Sequence, residues 1–192
     1  MFDFLTRQNN IRNCTDEPAK VIDKADLHND GMTRTVEQFI TTGDYNGNSL
    51  TQFSQELLSL IARQKEISQG VFFLSDKNDG IPVLKFLSGY AYMQSSETEE
   101  MIMFGEGLPG QVAKDGKLMN LTDIPEGYMS IQSGLGKASP ASLIIFPIMH
   151  EGNTLAVIEL ASFHKFTSED EKFFEEISPA IAEQMLKNMP NS

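Results

Sequence analysis

Five polar side chains in apolar runs or in one long loop are candidates for binding a small molecule. They are Tyr90, Tyr92, Tyr128, Ser133 and Glu159. Tyr90 and Tyr92 alternate along a predicted strand, so they are expected on one face of it. Glu159 is the only charge in a strongly apolar run, where a carboxylate is costly unless it is paired. A structural role stays open: strand packing for the tyrosines, and for Glu159 a hydrogen bond to a neighbouring loop.

The segment 105–110, Gly-Glu-Gly-Leu-Pro-Gly, matches the spaced glycines of a dinucleotide-binding turn. That chemistry requires a strand, the turn and a full helix within a βαβ unit, with an acid about 20 residues later on the next strand. Here the predicted helix is short, and the acids at that distance, Asp123 and Glu126, fall in a loop. We therefore interpret the glycines as a tight turn, and no cofactor is assigned.

No arrangement of residues in the sequence predicts a metal site or a catalytic centre. His28, His150 and His164 are too far apart for a local ligand cluster, and Cys14 is the only cysteine, which excludes zinc sites built on several cysteines. A Ser–His–Asp arrangement stays open, but no Gly-x-Ser-x-Gly turn supports one. We therefore expect no catalytic residues and no metal, that is, a protein that is not an enzyme.

The composition is that of a soluble chain with an acidic surface. The 192 residues are 40% hydrophobic and 22% charged, and 27 acidic against 15 basic residues give a net charge of −12. This charge disfavours nucleic acid and anionic membranes as partners. The single cysteine, with no apolar run long enough for a signal peptide or a membrane helix, predicts a cytoplasmic location.

Apolar periodicity divides the chain into two parts. Residues 1–48 have too few apolar side chains for a core, so we predict an N-terminal arm or linker with one short helix at about 33–41. Residues 49–190 are predicted to form one domain. It begins with a helix that Ser49 caps and ends with a helix that starts at about residue 168.

Between these two helices the pattern is mostly that of strands. Turn residues at 76–80 separate two β-type runs and predict a hairpin. The runs 141–149 and 154–163 are apolar on both faces, as central strands are when both sides of a sheet are covered. A short helix from about residue 107 and a long loop at 123–140 lie between the two pairs. Hairpin connections predict an α+β fold with a mainly antiparallel sheet.

Several segments in a fixed order resemble a GAF domain. They are 105–113 and 121–125, the strand pair within 147–163, and the entry to the last helix at 166–170. The segment 128–136, Tyr-Met-Ser-Ile-Gln-Ser-Gly-Leu-Gly, is similar to the subset found in bacterial sensor kinases and related signalling proteins.

The resemblance implies a GAF-like (profilin-like) antiparallel sheet of five or six strands. The N- and C-terminal helices would cover one face, and a small helix plus the long loop would enclose a pocket on the other. GAF domains typically sense a small molecule and signal through helices at a dimer interface, which implies a homodimer through the terminal helices and an output protein or domain. The Asn-Lys…Phe-Asp signature of cyclic-nucleotide binders is absent, as are the cysteines of bilin-binding and sulfoxide-reducing members within 49–190.

These observations predict a non-catalytic, small-molecule-sensing regulatory domain of a bacterial signal-transduction system, such as a two-component system, with an unassigned ligand. This hypothesis requires a pocket of roughly 300 Å³ or more. A ligand-free dimerisation or protein-interaction module would instead have a packed interior and an apolar seam on its terminal helices. A small GAF-fold enzyme would need a nucleophile–base pair or a metal cluster in the pocket.

Overall fold

The computed structural model describes residues 35–36, 38–41, 49–92, 101–124, 127–133 and 136–188. The helices bounded within these residues are α1 (Leu50–Lys65), α2 (Gly107–Asp115) and α3 (Ser168–Asn188). The strands are β1 (Gln69–Asn78), β2 (Ile81–Tyr90), β3 (Met101–Met103), β4 (Met119–Leu121), β5 (Ile131–Ser133), β6 (Gly136–Ala138), β7 (Ser142–His150) and β8 (Asn153–Ser162).

Six of the strands form one antiparallel sheet in the order β3-β2-β1-β8-β7-β4, and β5 pairs with β6 in a separate hairpin. The two long hairpins, β1–β2 and β7–β8, supply the four central strands. The first strand of one hairpin, β1, pairs with the last strand of the other, β8, and this pairing joins the halves. The predicted α+β class and antiparallel sheet are confirmed.

The sheet carries a different layer on each face because side chains alternate along a strand. One face packs against α1 and α3 through a large apolar core that includes Ile144, Phe146, Ile158 and Leu160. The other face packs against α2 through a smaller core that includes Val71, Phe73, Ile145 and Val157. The small core does not cover its whole face, and the candidate site lies beside it.

Both long helices begin at side-chain caps. The Ser49 hydroxyl accepts the Gln52 backbone N–H at 3.4 Å, while the Gln52 side chain donates to Glu56, so the reciprocal bond of a capping box is missing there. At α3 the box is complete: Thr167 Oγ1 accepts the Asp170 N–H at 3.3 Å, and Asp170 Oδ2 accepts the Thr167 N–H at 2.8 Å. Local capping therefore fixes where these helices start.

Part of the predicted N-terminal helix belongs to the core. Residues 35–36 and 38–41 are helical, in agreement with the predicted 33–41, and Val36 and Ile40 are buried in the core beneath α1 and α3. The other residues of the predicted arm at 1–48 lie outside the described ones.

A β-bulge turns the side chains in the second half of β2 to the opposite face of the sheet. Phe72 pairs with Ser88 whereas Phe73 pairs with Phe86, so Leu87 is the extra residue. Phe86 packs in the core beside α2, but beyond the bulge the Ser88 hydroxyl is buried towards α1 and donates to Ser54 Oγ at 2.6 Å. The expectation that Tyr90 and Tyr92 share one face is therefore wrong, because Tyr90 packs against the core beside α1 and α3 and Tyr92 against the core beside α2.

The buried hydroxyl pair offers a test of this reversed facing. We expect Ser54→Ala to lower the free energy of unfolding by about 1–2 kcal/mol, because the Ser88 hydroxyl loses its acceptor. The double variant S54A/S88A should lose less stability than the sum of the losses in the two single variants. It also removes the Ser88 hydroxyl, which Ser54→Ala leaves without an acceptor. Urea unfolding measures both, with Ser59→Ala on the exposed side of α1 as the control. Strict additivity would contradict the buried contact.

Candidate functional site

The glycine segment positions α2 over the sheet. The Gly105 N–H donates to the Gly110 carbonyl at 2.7 Å, and positive φ angles of 89° at Gly105 and 60° at Gly107 close the turn. An added Cβ at Gly110 would lie 2.3 Å from the Met103 carbonyl oxygen. The interpretation of this motif as a tight turn is confirmed, and the turn sets the first turn of α2 against the end of β3.

A cavity of about 350 Å³ lies between the sheet, the start of α2 and residues 128–129. Its wall is largely apolar and aromatic, with a few polar groups, as is usual for small-molecule sites. Its polar and aromatic lining residues are Gln69, Phe73, Tyr92, Glu106, Tyr128 and Glu159. Residues of β1 and β8 line the cavity from the sheet, and Tyr128 and Met129 line it from the loop between β4 and β5.

A hydrogen bond between strand and loop crosses one wall of the cavity. The Tyr128 hydroxyl donates to Glu159 Oε1 at 3.0 Å. Glu159 lies opposite Val71 on β1 and Ile145 on β7, so apolar neighbours flank it in the sheet. Among the described residues, Tyr128 is the only hydrogen-bond partner of this carboxyl.

Burial dominates the electrostatics of this pair. It raises the pKa of Glu159 above its ordinary value, and the hydrogen bond from Tyr128 offsets this only in part. Burial also raises the pKa of Tyr128, and the Glu159 carboxylate raises it further, so the phenol remains a donor across the physiological pH range. Glu159 therefore carries the structural bond that the sequence left open as an alternative, and it also borders the cavity.

The raised pKa of Glu159 gives stability a pH dependence of defined sign. The folded chain binds this proton more tightly than the unfolded chain, so the free energy of unfolding falls as the pH rises from the unfolded pKa through the folded one. Glu159→Gln still accepts from Tyr128 but cannot ionise, so we expect it to exceed the wild type in stability at pH 8 by an amount on the order of 1 kcal/mol.

Urea unfolding at pH 5 and pH 8 checks this expectation. The stability advantage of Glu159→Gln should shrink towards pH 5, whereas the exposed control Glu175→Gln should follow the wild type at both values. A Glu159→Gln variant that is less stable than the wild type at pH 8 would mean that the ionised carboxylate is favourable where it lies.

Gln69 is a cavity residue that the sequence analysis missed. It is 8% exposed, and its Oε1 has no hydrogen-bond partner among the described residues. It pairs with Ala161 on β8, two positions from the pair of Val71 with Glu159, so it shares the cavity face with Glu159. The only sequence signal was a polar residue just before an apolar run, a place where a loop residue is the ordinary interpretation.

The structure separates the five sequence candidates. Tyr92, Tyr128 and Glu159 line the cavity. Tyr90 instead packs against the core beside α1 and α3, because the bulge turns it over; Ala91, at φ 49°, then returns Tyr92 to the cavity side, where it stacks on Phe86.

Ser133 is the fifth candidate and belongs to β5, but its side chain lies outside the described ones. Ligand binding by any of these residues stays a prediction.

Two other concave surfaces are larger but less suited to a ligand. One, of about 480 Å³, lies between α3 and β7 near Pro179, and the other, of about 450 Å³, lies near the end of α2. Their charged side chains, such as Lys117, Glu175 and Lys114, are exposed and already solvated. The 350 Å³ cavity has a buried polar atom without a partner and a desolvated carboxyl, so it is the better candidate.

The described residues contain no group of three or more His, Cys, Asp or Glu side chains that could hold a metal ion. His150 and His164 have largely exposed side chains, and each lies within 4 Å of a glutamate at the surface. None of the helices in the described part of the chain is long and apolar enough to span a membrane.

The domain is an α+β sandwich: a six-stranded antiparallel sheet carries a helix pair on one face and a cavity beneath a short helix on the other. The sequence model of the GAF domain family matches residues 47–183. The chain belongs to the GAF domain family. No curated protein matches it by sequence.

Solved structures of low sequence identity share the fold. The GAF domain of a phosphoenolpyruvate-protein phosphotransferase from Coxiella burnetii is 18% identical, with a TM-score of 0.68 over 84% of this chain and 94% of that one. The nlh2 GAF domain of A. aeolicus is 17% identical, with a TM-score of 0.66 over 86% and 100%. A free methionine-R-sulfoxide reductase from Neisseria meningitidis, solved with its substrate, is 16% identical, with a TM-score of 0.65 over 88% and 94%.

Proposed function

We propose that this chain is a non-catalytic, small-molecule-sensing regulatory domain of a cytoplasmic bacterial signal-transduction system, and that the 350 Å³ cavity is its ligand site. The observation that carries the proposal is the Tyr128–Glu159 hydrogen bond within the cavity wall. A molecule that contacts Glu159 also alters the energy of the bond that holds residues 127–130 to the sheet. Occupancy of the cavity can therefore change the position of a surface segment, which is what a sensor requires.

The enzymatic alternative has less support from the residues present. Reduction of a sulfoxide by a thiol leaves an oxidised cysteine that condenses with a second thiol to regenerate the site. This chain has one cysteine, Cys14, and the described cavity lining contains none. The described lining also contains no histidine or lysine to act as a base beside a nucleophile.

The ligand-free alternative predicts an apolar seam on the terminal helices. Among the described residues, Leu186 is the only large hydrophobic side chain that α1 or α3 exposes. Charged and polar side chains, such as Glu56, Arg63 and Glu183, occupy the rest of the exposed surface. We therefore propose that a homodimer through these helices has mainly polar contacts and serves signal output to a partner protein or domain.

Native mass spectrometry of freshly purified protein tests the proposal. We expect a dimer that retains a small molecule. Ala161→Leu should lose that molecule, because Ala161 lines the cavity and the larger side chain fills part of it. Ala138→Leu, an equal enlargement at an exposed position of β6, should retain it. If the wild type and both variants show only the mass of the polypeptide, even after exposure to a bacterial metabolite extract, the sensing function is contradicted.

A further inference from the structure

We infer that the cavity takes a small molecule that presents a positively charged nitrogen, such as an ammonium group, to Glu159 and Gln69. The inference rests on the proposed function and specifies its class of ligand. Four properties of the described lining carry it: the sign of its charge, an acceptor without a partner, the spacing of the two polar side chains, and an aromatic wall.

The charge of the lining is negative. Glu106 and Glu159 are its ionisable acids, and the described lining contains no lysine, arginine or histidine. Glu106 is held at the rim, where its Oε2 accepts the Met103 N–H at 2.9 Å. An anionic ligand would face both carboxyls without a counter-charge, which is unfavourable because like charges repel.

The first turn of α2 does not reverse this preference. A helix N-terminus favours anions through its backbone N–H groups. Here Pro109 has no N–H and the Gly110 N–H makes the ordinary intrahelical bond to the Glu106 carbonyl at 3.1 Å, so only Gly107 and Leu108 supply first-turn donors. The Glu106 carboxylate also lies immediately before the helix, so the start of α2 carries its own negative charge.

Gln69 is an independent indication of a ligand. Its side chain is more than nine-tenths buried, yet its Oε1 has no partner among the described residues. A buried acceptor left unpaired costs free energy that a donor on a ligand would recover. An ammonium has three N–H donors and no acceptor, so it suits a site that offers oxygen atoms.

The sheet sets Gln69 and Glu159 at a distance that one group can bridge. Gln69 pairs with Ala161 and Val71 pairs with Glu159, so the two polar residues are diagonal neighbours on adjacent strands. Such neighbours lie about 7–8 Å apart, with their Cβ atoms somewhat closer. A nitrogen between them can donate to both side chains, while Glu159 Oε1 keeps its bond to Tyr128 and Oε2 accepts from the ligand.

The rest of the wall suits the body of such a molecule. Phe73 and Tyr92 lie on the sheet side of the cavity, and Tyr128 lies on the loop side. Aromatic faces attract a desolvated cation as well as an apolar body. We therefore expect the ligand to join a cationic nitrogen to an aromatic or aliphatic part.

Three probes that share one aromatic body and differ in charge test this inference on the full chain. They are phenethylammonium, 3-phenylpropionate and 2-phenylethanol, titrated calorimetrically at pH 7.5. We expect the ammonium to bind at least tenfold more tightly than the other two. Its affinity should fall roughly 10- to 100-fold in Glu159→Gln and in Gln69→Leu, because each variant removes an acceptor for a charged donor. Glu151→Gln, the same charge change in the exposed β7–β8 turn, should leave the affinity within twofold of the wild type.

The other outcomes separate the two proposals. Equal or tighter binding of the carboxylate or the alcohol would overturn the cation preference and leave a sensing function intact. No binding by any probe would also overturn the cation preference. The sensing function would then depend only on whether native mass spectrometry detects a retained small molecule. If Glu159→Gln binds the ammonium as tightly as the wild type does, and melting temperatures show that all variants are folded, any cation site lies elsewhere.

Discussion

Gly110→Ala is expected to destabilise the domain by about 2 kcal/mol, although it replaces a helical glycine with the best helix former. Helix propensity alone predicts a gain of about 0.8–1 kcal/mol for this change. The added Cβ, however, would lie 2.3 Å from the Met103 carbonyl oxygen and 3.2 Å from Ile102 Cγ2, so α2 and β3 must separate. Because backbone carries the closest contact, no side-chain rotation can relieve it.

The sign of the change makes this prediction easy to check by urea unfolding. A loss of stability supports the close approach of α2 to β3, and a gain of the size that propensity predicts would contradict it. Separation of α2 from β3 also displaces Gly107 and Pro109, which line the cavity. Affinity for any ligand of the cavity should therefore fall together with stability.

Lys65→Met is expected to cost about 2–3 kcal/mol. Lys65 Nζ lies 2.8 Å from Asp170 Oδ1, and their side chains are 9% and 19% exposed. The ammonium also lies 4.4 Å from the centre of the Phe173 ring. Methionine keeps an apolar chain over that ring but leaves the Asp170 carboxylate without its counter-charge, between the end of α1 and the start of α3.

The pH dependence of this loss identifies its cause. Burial by itself would raise the pKa of Asp170, but hydrogen bonds from Lys65 and Thr167 outweigh it and lower the pKa. A lowered folded pKa stabilises the protein above the unfolded value of about 3.9, and this contribution is lost as the pH falls through the folded value. The difference between wild type and Lys65→Met should therefore shrink in acid.

Urea unfolding over a pH series measures this difference, with Lys187→Met at the exposed end of α3 as the matched control. A loss no larger than the control's at neutral pH would show that the Lys65–Asp170 pair contributes nothing to the packing of the two helices.

The sequence was sufficient for the main elements of the fold because their signals are local. Asp79-Gly80 marks the β1–β2 turn, and the apolar runs on either side of residues 151–152 predict the buried pair β7 and β8. The Ser49 and Thr167 caps mark where α1 and α3 begin. The hairpin of β5 and β6 was missed, because three-residue strands are too short to show periodicity.

The residues of β2 alone could not predict which face of the sheet each of its side chains occupies. The bulge at Leu87 arises from the pairing of β1 with β2, and it turns Ser88 and Tyr90 away from the cavity. Strict alternation therefore grouped Tyr90 with Tyr92, which the structure places on opposite faces. A register irregularity depends on the neighbouring strand, which a single strand's sequence does not contain.

The candidate site was only partly visible in the sequence. Glu159 could be identified because a charge within an apolar run is unusual, and Tyr128 through its place in the long loop. Gln69 could not be, because its burial depends on its pairing with Ala161, which lies 92 positions later in the chain. Its missing hydrogen bond is a property of three-dimensional packing alone.

The most direct test of the cavity as a ligand site is a methyl NMR spectrum of methionine-labelled protein, recorded with and without a small-molecule extract of bacterial cells. Of the ten methionines, Met129 lines the cavity and Met149 borders the two other concave surfaces. We predict that the Met129 resonance, assigned with Met129→Leu, shifts on addition of the extract while that of Met149 does not. An unchanged Met129 resonance, or a shift at Met149 alone, would contradict the proposed site.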